Sequence, residues 1–198
     1  MSDYNHEITS KRLGAVILAG GRGSRMGGHD KGLIKIQNRT LIETVLDQIH
    51  PYINQTVISA NRNIKQYQDL GYQVIQDDTP DFSGPLAGIA RAMDVMNKEL
   101  LLVIAVDMPA LPSDVIPKLL SLLDLKEADI CCIKEGERLQ PLVSVINTRL
   151  KADLTQYLQN GHRKVTDWFQ QHKLATLELE DNTIVNLNTF HELEKYSK

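Results

Sequence analysis

The segment from Leu18 to Lys31 reads Leu-Ala-Gly-Gly-Arg-Gly-Ser-Arg-Met-Gly-Gly-His-Asp-Lys and concentrates the residue types that hold a polyphosphate. Glycines 20, 21, 23, 27 and 28 let the backbone approach a bulky ligand closely. Oriented backbone N–H groups beside Arg22, Arg25 and Lys31 favour anions through both dipoles and fixed charge. His29 sits inside the same loop, either as a solvated residue or as a phosphate contact when protonated.

Two familiar nucleotide loops fail on this segment. The dinucleotide fingerprint G-x-G-x-x-G, read from Gly21, meets Met26 where its third glycine belongs. Gly23 and Gly28 have the Walker spacing, but His29-Asp30 follow where Lys and Ser/Thr should bind phosphate and magnesium. Hydride carriers and Walker-type hydrolases are thereby disfavoured, and the loop is of a third kind.

Carboxylates at strand ends supply the complementary chemistry. Asp107 follows the apolar run 100–106 and is soon followed by Pro109, which leaves an acid where neither strand nor helix continues well. A hard oxygen ligand beside a phosphate loop suits Mg²⁺, which takes one or two carboxylates plus phosphate oxygens and water. The plainer alternative is an Asp that caps the next turn. Asp77 ends another strand pattern, and its neighbour Asp78 could exchange roles with it or simply be solvated. Asn160-Gly161-His162-Arg163-Lys164 offers either a grip for a second anion or an ordinary basic surface turn.

Positioning these groups requires strands that end where the loops begin. Residues 15–19, 56–60, 72–75 and 100–106 are apolar runs of strand length, and the last has the continuous character of a central parallel strand. Between them, Thr40 to Glu43 reads as a capping box opening a helix, 63–70 as a polar helix and 86–96 as an amphipathic one. Residues 33–36 read as a short strand and 79–85 as a loop. The alternation predicts an α/β fold: a doubly wound, mostly parallel, Rossmann-like sheet with helices on both faces. In such a sheet ligands bind beyond the carboxyl ends of the strands, which is where the glycine loop, Asp77 and Asp107 fall.

The remainder changes character. Ser113 could cap a helix through residue 123, with Pro117 disfavouring a straight interior unless the helix starts late. Residues 130–133 and 142–146 flank a turn at 135–138 and predict a mixed-sheet C-terminal part. Helices are expected at 148–160, stopped by Gly161, at 165–172 and at 189–196.

Length and composition set the frame. At 198 residues and 42% hydrophobic content, one core suffices, so a single domain over 1–198 is expected, with residues 1–12 flexible. A net charge of −3 argues against a nucleic-acid partner, and phosphate recognition must be local. The adjacent Cys131 and Cys132 lack metal-knuckle spacing and suit buried strand thiols rather than a disulfide. With no secretory leader pattern and no apolar span, a cytoplasmic protein away from membranes is expected.

Leu18 to Gly32 resembles the nucleotide-binding start of the nucleotidyltransferases, and most closely the MobA-type molybdenum cofactor guanylyltransferases. Gly84-Pro85-Leu86-Ala87-Gly88, the Asp107-Met108-Pro109 strand end, Gly136-Glu137-Arg138 with Pro141, and Val185-Asn186-Leu187-Asn188-Thr189 are similar to later blocks of that family. The resemblance implies a nucleotide-diphospho-sugar transferase-like fold and transfer of GMP from GTP to the molybdenum-molybdopterin cofactor, with release of pyrophosphate. It implies that Leu18, Ala19, Gly20 and Gly21 meet the guanine and ribose end of GTP, with Asp77 helping to hold the nucleoside. Arg25, Lys31 and Asp107 would be catalytic, Lys31 on the phosphates and Asp107 carrying Mg²⁺ as well as touching the nucleotide. Arg163, Lys164, Asn186 and Asn188 would contact the pterin substrate. Ser59-Ala60-Asn61-Arg62 departs from the family's Asn-Ala-Asn-Arg, which puts the nucleoside contact at Ser59 in question. The resemblance further implies a monomer with transient contacts to cofactor-synthesis proteins and molybdoenzyme chaperones. Base choice rests on a few hydrogen bonds, so a cytidylyltransferase of the same cofactor or a sugar-phosphate nucleotidyltransferase stays open, as does a non-catalytic nucleotide-binding regulator.

Overall fold

The computed structural model describes residues 11–20, 30–36, 38–77, 84–181, 183–184 and 187. In chain order these form β1 (Leu13–Leu18), a short ribbon of β2 (Lys35–Ile36) and β3 (Arg39–Thr40), α1 (Leu41–Ile49), β4 (Thr56–Ser59), α2 (Ile64–Gln68), β5 (Gln73–Ile75) and α3 (Pro85–Val95). There follow β6 (Leu100–Ala105), α4 (Val115–Leu125), β7 (Ile130–Glu135), β8 (Arg138–Asn147), α5 (Lys151–Gln159), α6 (Val165–Phe169) and β9 (Leu174–Leu179).

Among these residues the main sheet has seven strands in the order β5-β4-β1-β6-β8-β7-β9. All neighbours are parallel except those of β8, which runs antiparallel to both β6 and β7. This is the expected mostly parallel α/β sheet with a mixed C-terminal part. From β1 the chain moves outward to β4 and β5, then returns through α3 to place β6 on the other side of β1. The strand order therefore reverses between β1 and β6, and a crevice opens beyond their carboxyl ends.

Every residue of β6 is buried, as a central strand covered on both faces requires. Alternation along the strands divides the core. Leu13, Ala15, Ile17, Leu102 and Ile104 pack with α1, α2 and α4, whereas Val16, Leu101 and Val103 pack with α3, α5 and α6. The capping box forms: Thr40 Oγ1 accepts from Glu43 N, and Glu43 Oε2 accepts from Thr40 N at 2.8 Å. Cys131 and Cys132 are free and fully buried, and burial pushes both thiols up to about 12.

Several boundaries differ from the pattern-based expectation. Residues 31–33 form a 3-10 turn, so Leu33 precedes the short strand rather than opening it. The helix expected from Ser113 starts later, with Asp114 as its N-cap, and Pro117 falls in the first turn where no backbone donor is lost. Residues 148–150 are a 3-10 turn before α5, and α6 stops at Phe169. The hairpin strands are longer than expected, because a register shift between Cys132 and Ile133 accommodates Pro141 inside β8. Leu174–Leu179 adds a seventh, edge strand that its short mixed sequence does not announce. The helix expected at 189–196 lies outside the described residues.

Candidate active site

The strand ladder runs to the lip of the crevice. Ala19 N donates to Ser59 O at 2.9 Å and Val106 N donates to Leu18 O at 3.1 Å. Beyond these bonds, Gly20 is exposed at the end of β1 and Asp107 follows β6. Lys31 enters from the 3-10 turn and places Nζ 3.0 Å from Asp107 Oδ2. Their side chains are 20% and 18% exposed, so the pair is shielded from bulk water yet open to a ligand.

Asp30 holds that lysine in place. Its carboxylate accepts from Gly32 N at 3.2 Å, Asn63 Nδ2 at 3.0 Å and Tyr67 Oη at 2.6 Å. Tyr67 is fully buried; burial, and then the bond to Asp30, push its phenol well above the usual range, so it remains a donor. Gly32 fills the remaining space, since a Cβ there would lie 3.2 Å from both Tyr67 Cζ and Val106 Cγ2. Three elements distant in sequence thus fasten the exit of the glycine loop against β6.

The other half of the edge carries an acid and an amide. Asn61 Nδ2 donates to Asp77 Oδ2 at 2.8 Å, and Asp77 N donates to Asn61 Oδ1 at 2.9 Å. Asn61 also borders Gly20, where a Cβ would sit 3.7 Å from its Nδ2. Gly20, Asn61 and Asp77 therefore form one continuous rim over β1, β4 and β5. Ser59 is only 5% exposed, and its hydroxyl turns towards Gly88 of α3, where a Cβ would come within 2.6 Å of Oγ. Its carbonyl supports Ala19, while Asn61 presents the polar side chain at the rim.

Arg163 and Lys164 are exposed at the turn after α5. Lys151, at the start of α5, pairs with Asp94 near the end of α3, at 2.6 Å. The helix packs back along α3, so the turn lies towards the carboxyl edge on that face. There Arg163 Nη1 donates to the carbonyls of Leu158 and His162, both at 2.7 Å, and caps the helix end. Lys164 pairs with Asp167 at 2.7 Å, a contact that raises the pKa of its ammonium. Gly21, Arg22, Arg25, His29, Asp78, Asn186 and Asn188 lie outside the described residues. Leu187, between the two asparagines, donates its N–H to Asp107 O at 2.9 Å.

Asn61 and Asp30 lie inside stretches that carry the family resemblance, and Glu135 just before another, but no sequence signal assigns them their polar contacts at this edge. Their partners are 16, 37 and 49 positions away, beyond the reach of local pattern. Among the described residues no group of three or more His, Cys, Asp or Glu side chains could cage a metal. A lone Asp107 with one oxygen on Lys31 instead fits a cation completed by substrate phosphates and water.

Residues 15–176 match the MobA-like NTP transferase domain. The chain is 38% identical over 191 residues to the molybdenum cofactor guanylyltransferase of Shewanella sediminis (strain HAW-EB3), covering 96% of this chain and 97% of that protein. It also shares its fold with the molybdopterin-guanine dinucleotide biosynthesis protein A of Archaeoglobus fulgidus, with a TM-score of 0.75 and 23% identity over 93% of this chain and 96% of that one. A Mycobacterium tuberculosis H37Rv protein solved as a manganese complex superposes with a TM-score of 0.72 at 12% identity, over 94% of this chain and 98% of that one.

Proposed function

Because the chain belongs to the MobA-like NTP transferase family, we propose that it transfers GMP from GTP to the molybdenum-molybdopterin cofactor, releasing pyrophosphate. The observation that carries this reading is the Lys31–Asp107 pair, set at the β1–β6 reversal directly beyond a glycine-rich loop. Extensive similarity to a protein of that named activity supports it.

In this reading Leu18, Ala19, Gly20 and Gly21 receive the guanine and ribose, and the Asn61–Asp77 pair holds the nucleoside at the neighbouring strand ends. Lys31 and Arg25 contact the phosphates. Asp107 holds Mg²⁺, which when bound neutralises charge on the triphosphate. A terminal phosphate oxygen of the pterin bonds to the α-phosphorus of GTP, and the bond from that phosphorus to the β-phosphate oxygen breaks. The nucleophile is already anionic, so no strong base is needed. The residues must instead bring two anions together and stabilise the charge that spreads over the transferring group. Arg163, Lys164, Asn186 and Asn188 are the candidates for the pterin phosphate; engagement of Arg163 or Lys164 would require leaving its present partners.

Competition among GTP, CTP, ATP and UTP, followed by pyrophosphate release with Mg²⁺ and a pterin-cofactor source, tests the assignment. GTP should win and be consumed. Preference for CTP overturns the guanylyl assignment, and tight GTP binding without turnover by cofactor-supplied protein identifies a regulator.

A further inference from the structure

Glu135 ends β7 at the same carboxyl edge as Asp107, with β8 between β7 and β6. It is nevertheless only 8% exposed. Burying a carboxylate is unfavourable unless its oxygens are satisfied, and both are. Oε1 accepts from Ile184 N at 2.8 Å and Oε2 accepts from Gln140 Nε2 at 2.7 Å, with Gln140 itself 8% exposed.

Those bonds fasten chain that has just left the edge strand β9. Asp181 passes over the β7–β8 turn, where Gly136 has φ +52° and a Cβ would lie 2.7 Å from Asp181 Oδ1. Ile184 then docks on Glu135 and, three residues on, Leu187 N donates to Asp107 O. Ile184 and Leu187 are 7% and 1% exposed, and both join the core on the α1, α2 and α4 face of the sheet. At Asp181, Ile184 and Leu187 this strap thus touches the hairpin, Glu135 and the turn that carries Asp107 in succession, with Glu135 as its polar anchor.

We propose that Glu135 is a positioning residue for Asp107: its buried carboxylate fixes the strap whose Leu187 amide sets the main chain of the Asp107 turn. The inference rests on the metal role given to Asp107 above. Without the anchor, the Asp107 carbonyl loses a fixed donor and its carboxylate no longer meets Lys31 and a cation in one geometry. Displacement of a reacting-site group by about 1 Å costs roughly 100-fold in rate.

The test compares the wild-type protein with Glu135→Ala and Glu135→Gln, the latter keeping an acceptor for Ile184 N. Amide hydrogen exchange should accelerate by about tenfold or more at Ile184 and Leu187 in Glu135→Ala, while β1 and β6 stay protected. Mn²⁺ affinity in the presence of GTP, read by EPR, should weaken by about tenfold, and kcat should fall by about 10- to 100-fold with KM for GTP within about twofold. Glu135→Gln should restore most of each readout. If Glu135→Ala does not fold, Glu135→Asp, which keeps the charge but withdraws it by one methylene, serves the same comparison. Unchanged exchange at both amides, or a loosened strap with unchanged Mn²⁺ affinity, overturns the proposal. Wild-type protein that transfers no nucleotide would overturn the proposed function instead, because exchange and Mn²⁺ binding are read without turnover.

Discussion

Lys31 Nζ and Asp107 Oδ2 stand 3.0 Å apart although 76 positions separate them in the chain. The contact exists because β1 and β6 are parallel neighbours, paired from Leu13 with Leu100 to Leu18 with Ala105. Parallel strands that lie side by side end at the same edge of the sheet, where the turn bearing Lys31 and the turn after β6 meet. The pair thereby sets a fixed cation beside a carboxylate at the carboxyl edge of the sheet.

Asp107→Asn keeps the side chain's shape but removes its charge. Turnover should fall by about 100-fold or more while nucleotide binding weakens only a few-fold, since the loss falls on charge stabilisation in the transition state. Steady-state kinetics beside equilibrium GTP binding check this, and full activity in the variant removes the metal role.

Gly32→Ala forces a methyl group between Tyr67 and Val106. Overpacking of this kind costs about 1–3 kcal/mol, measurable by urea denaturation. Tyr67→Phe removes the hydroxyl that the methyl meets first, so the double variant should be less destabilised than the sum of the two single variants. Strict additivity would show that the two sites are not coupled.

Thr40→Ala removes the cap of α1 and should cost about 1 kcal/mol at neutral pH. The Thr40 hydroxyl, then the Thr40 backbone N–H, hold the Glu43 carboxyl below its ordinary value of 4.5. A pKa that is lower folded than unfolded contributes stability above the ordinary value, and that contribution is lost as pH falls through the folded one. The stability gap between wild type and Thr40→Ala should therefore narrow in acid below that range. Urea melts at a series of pH values from about 7 downward compare the two, and a gap that stays constant across the whole acid range in which the protein folds means the carboxylate contributes nothing to the cap.

Cys131 and Cys132 should resist thiol reagents in the native state, being fully buried with thiols pushed up to about 12. Modification by a disulfide reagent should track unfolding as denaturant is added. Rapid labelling of folded protein at neutral pH would contradict their burial in β7.

Local chemistry made much of this protein readable before any contact was known. The glycine loop failed two templates on identifiable positions, Met26 and His29-Asp30. The uninterrupted apolar stretch of β6 announced a central strand, and the Thr40–Glu43 spacing announced a helix start that forms as expected. Such signals survive in one dimension because burial on both faces and capping are settled within a few residues.

Where polar side chains turn was decided only by the assembled sheet. Ser59 and Asn61 are two positions apart, yet one faces Gly88 on α3 while the other meets Asp77 at the rim. Asp30 shares its oxygens with Asn63 and Tyr67, and Glu135 closes on Ile184, none of which a local pattern pairs. The edge strand β9 gained its place from parallel pairing with β7 rather than from its own weakly patterned residues. Periodicity states which residues form a strand; strand order and register, which depend on contacts remote along the chain, decide which strand ends converge on one site.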